Sequence, residues 1–100
     1  MMLLVIGTVR MPPENVSEAR YAMREIIEAS LEEEGCAAYS YSEDVLEPGL
    51  VHVMEAWRDR EALDEHFASD HLAEWRANWD RFGIHDRDLQ LIEAGKAQKL

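Results

Sequence analysis

The segment that most constrains the fold runs from residue 35 to residue 75, where a turn signal separates two strand-like stretches. Residues 36–45 and 50–57 flank the tripeptide Glu47-Pro48-Gly49. Proline fixes its own φ and glycine accepts the positive φ that follows, so the tripeptide predicts a type II turn and the two stretches predict a β-hairpin. Two helical segments follow directly, which places the hairpin where strands meet helices.

A strand and a long helix precede this hairpin. Residues 3–10 are rich in Leu, Val and Ile and predict a first strand. Pro12 and Pro13 end it and start a helix, since proline is tolerated in the first helical turn. From Val16 onward, apolar side chains recur at three- and four-residue spacing. This spacing predicts an amphipathic helix of about five turns that Gly35 ends.

The second half of the chain adds a broken helical region and a last strand. Asp59 and Ser69 are candidate N-caps of two successive helices, and residues 88–94 predict a strand. The resulting order is β-α-β-β-α-β. That order is typical of the ferredoxin-like α+β fold, in which a four-stranded antiparallel sheet carries its helices on one face. One hundred residues suit a single domain, with an ordered core from about residue 3 to 95.

The strands are apolar on both of their sides. Alternation along residues 50–57 puts Glu55 and Trp57 on one side, and His52 and Met54 on the other. Helices cover only one face of such a sheet, and a large apolar face left in water marks an association surface. We therefore expect the open face to pack on a second copy about a twofold axis, giving a homodimer. We expect Glu55 and Trp57 to face a cavity beside the helices.

Charge and composition exclude several classes of partner. Twenty-one acids against ten bases leave a formal charge of −11 without a basic patch, whereas nucleic acid binding needs phosphate-neutralising Lys and Arg. Anionic membrane surfaces are disfavoured for the same reason, and no run approaches the roughly 20 apolar residues that span a bilayer. Cys36 stands alone, so no intrachain disulfide or Cys-based metal centre forms. We expect a cytoplasmic protein with no nucleic acid or membrane partner.

Two histidines are candidate site residues. His66 shares a helix face with Leu63 and Phe67, so it points inward, where an imidazole can hold or release a proton at neutral pH. The alternative is a buried histidine that serves packing alone. His71 opens the next helix and is either a substrate contact or a solvated first-turn residue. Because the two are five residues apart across a helix break, they lack the i, i+4 spacing of a metal pair, and we expect no metal site.

A carboxylate and several aromatic residues complete the candidate set. Glu55 needs a partner inside the protein and either orients His66 or forms a structural pair. Tyr39 and Tyr41 lie on one face of the second strand, where their hydroxyls would bind a substrate oxygen. Trp57 offers a flat wall and an indole N–H. Further aromatic residues form a stripe at helical spacing that is typical of a core, although one of the tryptophans could line the cavity; they are Trp75, Trp79 and Phe82.

The run GCAAYSYSEDVLEPGLVHVMEAWRDREALDEHFASDHL, residues 35–72, resembles the central part of the antibiotic biosynthesis monooxygenase family. The family pattern has a Gly after the first helix, a Tyr in the second strand and Glu-x-Trp in the third. It continues with an acidic or Ala-Leu helix start, a His and then Ser-x-His. The matching residues here are Gly35, Tyr39, Tyr41, Glu55, Trp57, Glu61, Ala62, Leu63, His66, Ser69 and His71.

The resemblance implies a dimeric α+β barrel and an oxidation reaction. Members of the monooxygenase branch, which includes quinol monooxygenases, are similar in oxidising phenolic or hydroquinone rings with O2 and no flavin, haem or metal. The resemblance implies that His66 and Glu55 are the catalytic residues and that no cofactor is needed. We expect the substrate contacts to be Tyr39, Tyr41, Trp57, His71 and Trp75.

Other functions on the same barrel stay open. Haem-degrading relatives are similar in using an Asn in the first strand, and residues 3–10 contain none. A non-catalytic ligand-binding or stress-related dimer is an alternative of a different class, and isomerase or lyase activity is another. Cavity volume discriminates among them. A cavity of about 300 Å3 or more suits an aromatic substrate, and a collapsed one favours the binding protein.

Overall fold

A computed structural model describes all of residues 1–100 and shows a four-stranded sheet with helices packed on one face. In chain order the elements are β1 (Met2–Arg10), α1 (Val16–Leu31), β2 (Cys36–Glu43), β3 (Leu50–Trp57), α2 (Arg60–Phe67), α3 (Asp70–Ala77), α4 (Trp79–Phe82) and β4 (His85–Ala94). A single 3-10 turn, Pro13–Asn15, precedes α1. The strands are antiparallel in the order β2-β3-β1-β4, and the sheet is not closed. The predicted ferredoxin-like α+β fold is confirmed.

The hairpin between β2 and β3 forms around the predicted turn. The Leu50 N–H donates to the Glu47 carbonyl at 3.2 Å, and Gly49 has the positive φ of 87° that a type II turn requires. The second strand ends at Glu43 rather than at residue 45. It ends early because the Asp44 carboxylate accepts two backbone N–H groups of the loop, at 2.9 and 2.8 Å, and so bends the chain away from the ladder.

Two further boundaries differ from the sequence expectation. Helix α1 ends at Leu31, short of the predicted five turns, and a turn leads from it to Gly35. Strand β4 begins at His85, three residues before the predicted start. Its first residues are polar, and Arg10 pairs with His85 across a register shift that places one extra residue in β4, so no alternating apolar pattern marks the start of the strand.

Both predicted helix caps are present. The Asp59 side chain accepts the Ala62 backbone N–H at 2.9 Å and starts α2. The Ser69 hydroxyl accepts the Leu72 N–H at 3.3 Å and starts α3. The short link between these two caps keeps α2 and α3 as separate helices.

The two faces of the sheet differ in cover. On β3, Glu55 and Trp57 are buried beneath the helices, as expected. The opposite face is uncovered, and we call it the open face. Apolar side chains lie on this face. Ile6 pairs with Met54 across neighbouring strands, and Ile6, Met54 and Ile92 are each 39% exposed. No helix combines the length and the apolar character that crossing a membrane requires.

Candidate active site

His66 lies at the centre of the helix-covered side. Helix α2 turns its apolar stripe toward the sheet, and His66 is carried inward on that stripe until it is 1% exposed. Its ring centroid is 4.5 Å from that of Trp57 and 5.5 Å from that of Tyr39. The imidazole is therefore enclosed by aromatic rings, as expected of an inward histidine.

A carboxylate that no sequence pattern singled out holds this imidazole. Glu33, in the turn after α1, places its Oε2 2.6 Å from the His66 Nδ1. Because an ionised carboxylate only accepts hydrogen bonds, the His66 Nδ1 carries the proton and donates a hydrogen bond to Glu33. No protein group bonds the other ring nitrogen, Nε2, which keeps its lone pair. This is the tautomer that a general base needs.

His71 completes the network around Glu33. The same Glu33 Oε2 accepts a hydrogen bond from the His71 Nε2 at 2.8 Å. One carboxylate oxygen thus ties α2 and α3 to the end of α1. Nothing in the sequence marks this role, since Glu33 stands among three consecutive glutamates. Their side chains differ only in the folded state, where that of Glu33 is 17% exposed and that of Glu34 is 93% exposed.

Glu33, His66 and His71 also form the donor set that zinc and iron prefer, with all three atoms within 4.8 Å of one another. The five-residue spacing of His66 and His71 therefore does not by itself exclude a metal site, because folding brings both beside Glu33. Metal bonds of about 2.0–2.2 Å in a tetrahedral site separate neighbouring donors by roughly 3.3 Å. The observed separations of 2.6 and 2.8 Å are shorter and are those of hydrogen bonds. We treat the trio as a hydrogen-bond network.

Glu55 has a different partner from the one expected for a catalytic role. Its Oε1 accepts the Trp57 indole N–H at 3.0 Å, and it makes no hydrogen bond to His66. Burial raises the pKa of the Glu55 carboxyl, and the bond from Trp57 acts in the opposite direction. The orienting role therefore falls to Glu33, and Glu55 with Trp57 forms a buried pair behind the imidazole.

Tyr39 and Tyr41 present their hydroxyls together. The two side chains share a face of β2, as predicted, and their oxygens lie 2.9 Å apart. Burial raises the pKa of both phenols well above the usual range, so both stay protonated at neutral pH. Tyr41 also approaches Trp75, with ring centroids 5.9 Å apart. The pair can donate a hydrogen bond to an oxygen atom held beside His66.

A small cavity adjoins these groups, and we call it the His66 cavity. Its volume is about 60 Å3. Five of the seven sequence-predicted site residues line it, namely Tyr39, Tyr41, Glu55, His66 and Trp75. Trp57 lies behind the imidazole and His71 lies across Glu33. A second void of about 30 Å3 shares Tyr41 and Trp75 with it. Both are far below the 300 Å3 expected for an aromatic substrate.

Larger depressions occur elsewhere on the surface. A groove of about 280 Å3 runs between α1 and β2, and its walls include the ion pair between Arg20 and Glu43. Another depression, of about 330 Å3, lies around Tyr21 and Arg81. Neither contains a histidine. A third depression, of about 160 Å3, is lined by His71, but the Nε2 of His71 is bonded to Glu33. We therefore take the His66 cavity as the candidate site because it contains a buried imidazole with an unbonded nitrogen, and not because of its volume.

The fold and this site define the class of protein: a ferredoxin-like α+β domain whose helices cover an aromatic pocket on one face of the sheet. A sequence model of the family described as antibiotic biosynthesis monooxygenase matches residues 2–78. The chain belongs to this family.

Individual relatives share the fold more closely than the sequence. An uncharacterised protein of Synechocystis, sll1783, is 34% identical over 73 residues, which are 73% of this chain and 50% of that protein. The chain thus spans about half the length of this relative. A Deinococcus radiodurans crystal structure, provisionally assigned to the antibiotic biosynthesis monooxygenases, has a TM-score of 0.89 at 25% identity and covers 100% of this chain and 98% of its own. Rv0793 of Mycobacterium tuberculosis has a TM-score of 0.76 at 27% identity, with 99% and 98% covered.

Proposed function

We propose that this protein is a cofactor-independent monooxygenase that oxidises a small phenolic or hydroquinone ring with O2. The observation that supports this most is the buried His66, whose Nδ1 is held by Glu33 and whose Nε2 has no partner in the protein. Such an imidazole is oriented and ready to accept a proton inside an aromatic pocket. Membership of the monooxygenase family is consistent with this chemistry.

In the proposed reaction, the His66 Nε2 takes the phenol proton and the phenolate oxygen receives a hydrogen bond from the Tyr39 and Tyr41 pair. The electron-rich ring then passes one electron to O2, and the two radicals join at an open ring carbon ortho or para to the oxygen. Loss of water from the resulting peroxide leaves a quinone. One atom of O2 ends in the quinone and the other in water, so a phenol and O2 give a quinone and H2O.

The direct test is O2 uptake by purified protein checked to be free of flavin and haem. We expect saturable uptake with at least some members of a panel of phenols, hydroquinones and naphthols. Uptake should persist in the presence of a chelator, because the proposed step uses only the ring and His66. No uptake across the panel would count against the proposal.

The pH dependence of kcat/KM follows from the state of His66. Burial lowers the pKa of this imidazole below its ordinary value, and the Glu33 carboxylate raises it in part. The base therefore stays neutral through pH 6.5, and we expect kcat/KM to fall only at lower pH. In Glu33→Gln the raising influence is gone, so the acid limb should shift to still lower pH. A limb at or above pH 6.5 in the unmodified protein would contradict this assignment.

The same shift of the His66 pKa affects stability. The unfolded chain takes up a proton at this histidine near pH 6.5, while the folded chain resists it until lower pH. The His66 contribution to the free energy of unfolding is therefore present above pH 6.5 and is lost as pH falls through the folded pKa.

A non-catalytic ligand-binding protein is the second candidate, and the cavity volume of about 60 Å3 favours it. A substrate ring fits only if side chains at the cavity wall move apart. The two functions separate experimentally, because a binding protein would show a raised melting temperature with a phenol but no O2 uptake.

We further propose that the protein acts as a homodimer joined through the open face. Apolar Ile6, Met54 and Ile92 are exposed there in the single chain, and their burial by a second copy would remove them from water. We expect Met54→Asp to give a monomer by sedimentation at micromolar concentration. Leu46→Asp is the matched control, since Leu46 is exposed in the hairpin loop. A monomeric unmodified protein would contradict the proposal.

A further inference from the structure

The arginines of this chain fall into two groups. Six of the eight make ion pairs with carboxylates, namely Arg10, Arg20, Arg24, Arg58, Arg60 and Arg81. The other two, Arg76 and Arg87, have no carboxylate within ion-pair distance. In a chain with a net charge of −11, acids are abundant around most surface positions. Arg76 and Arg87 therefore differ from the other arginines in having no carboxylate partner.

The two unpaired arginines come together at one place. Arg76 lies on α3 and Arg87 on β4, far apart in sequence, and each guanidinium carbon is 5.9 Å from the ring centroid of Trp79. Both side chains line the His66 cavity. Both residues are also exposed, so they form the part of the cavity wall that meets solvent.

A third donor at the same wall has no acceptor. The indole Nε1 of Trp79 is buried and makes no hydrogen bond. A buried N–H without a partner is destabilising, so such groups are rare unless something else satisfies them. Glu55 lines the same cavity, but it accepts from Trp57 and forms no ion pair with either arginine. Donors therefore predominate at this wall, although the second carboxylate oxygen of Glu55 is also an acceptor there and the Glu55 charge interacts with Arg87.

We infer that Arg76 and Arg87 are the specificity-determining pair of this cavity and select a substrate ring that carries a carboxylate. The inference rests on the proposed function for the identity of the ring and adds the charge of its substituent. Guanidinium groups hold carboxylates through paired N–H donors, and the Trp79 ring lies within cation–π distance of both guanidinium groups. The carboxylate lies at the solvent-facing wall, where losing its hydration costs least. The ring then reaches inward toward His66.

The arrangement also explains how an acidic protein admits an acidic ligand. A net charge of −11 repels anions from most of the surface. The two unpaired guanidinium groups make a local positive patch at the solvent-facing wall of the His66 cavity. The patch does not attract neutral phenols, so it favours the binding of acids over that of their neutral analogues.

The test compares gentisate, a hydroquinone that carries a carboxylate, with its neutral amide, gentisamide. Isothermal titration calorimetry under nitrogen measures binding without turnover. We expect the unmodified protein to bind gentisate about tenfold more tightly than gentisamide. Arg76→Gln and Arg87→Gln should each remove most of that preference and leave the amide affinity unchanged. Arg87→Lys should be intermediate, because it keeps the charge but not the paired donors.

Arg81→Gln is the matched control. Its guanidinium also lies over an aromatic ring, that of Phe82, but it is paired with Glu18. We expect no change in either affinity. Equal binding of acid and amide by the unmodified protein, equal loss of both in the arginine variants, or binding of neither probe would overturn the inference. Tight, arginine-dependent gentisate binding with no O2 uptake across the panel of phenols, hydroquinones and naphthols would uphold it while defeating the proposed monooxygenase function.

Discussion

Replacing His66 with Gln is expected to lower kcat/KM for O2-dependent turnover by about a hundred- to ten-thousand-fold, the usual cost of losing a general base. The glutamine side chain would fill similar space and would still be able to bond Glu33, so the fold and the network should survive. What disappears is the basic nitrogen. The measurement is initial O2 uptake at saturating and limiting substrate, with circular dichroism to confirm that the variant is folded.

Two further variants locate the effect. His85→Gln changes an exposed histidine at the start of β4 and should leave kcat/KM unchanged. Glu33→Gln should fall between the two, because it weakens the orientation of His66 without removing the base. If His66→Gln retains activity within severalfold of the unmodified protein, His66 is a packing residue and the proton goes elsewhere.

Trp57→Ala is expected to lower the free energy of unfolding by about 3–5 kcal/mol, which is a large share of the 5–15 kcal/mol typical of a domain. Trp57 is 0% exposed and packs directly against His66. The substitution leaves a cavity, and it also takes the indole donor from the buried Glu55. Urea unfolding followed by circular dichroism gives the value.

Trp57→Phe separates the two contributions to that loss. It keeps most of the packing but removes the N–H, so its cost should be about 1–3 kcal/mol from the unsatisfied carboxylate. Adding Glu55→Gln in the Trp57→Phe background should recover part of this loss, because it removes the buried charge. A loss below about 1 kcal/mol in Trp57→Ala would show that this aromatic layer does not hold the site together.

Local signals in the sequence were sufficient to predict the fold. The Pro-Gly turn, the two caps at Asp59 and Ser69 and the alternation along β3 each depend on neighbouring residues, and each is present in the structure. The inward direction of His66 follows from its helix stripe in the same way. Together these local features allow few topologies besides the observed one.

The parts that sequence did not reveal depend on contacts between distant residues. Glu33 meets His66 across 33 positions, and nothing in its own neighbourhood marks it. The same holds for Arg76 and Arg87, which share Trp79 only after β4 has paired with β1. Cavity volume is also a property of packing. Of the two alternatives left open for Glu55, orienting His66 or forming a structural pair, the structure has the pair with Trp57; sequence could not choose, because strand alternation fixes a direction but not a hydrogen-bond partner.

The central claim, that the protein inserts oxygen from O2 into a ring through base catalysis alone, is tested most directly by turnover under isotopically labelled O2. Mass spectrometry of the quinone formed from a phenol is the measurement. We predict one labelled oxygen atom in each quinone and the other in water, with no hydrogen peroxide released. A substrate that is consumed without label in the product, or with peroxide in equal amount, would contradict this claim.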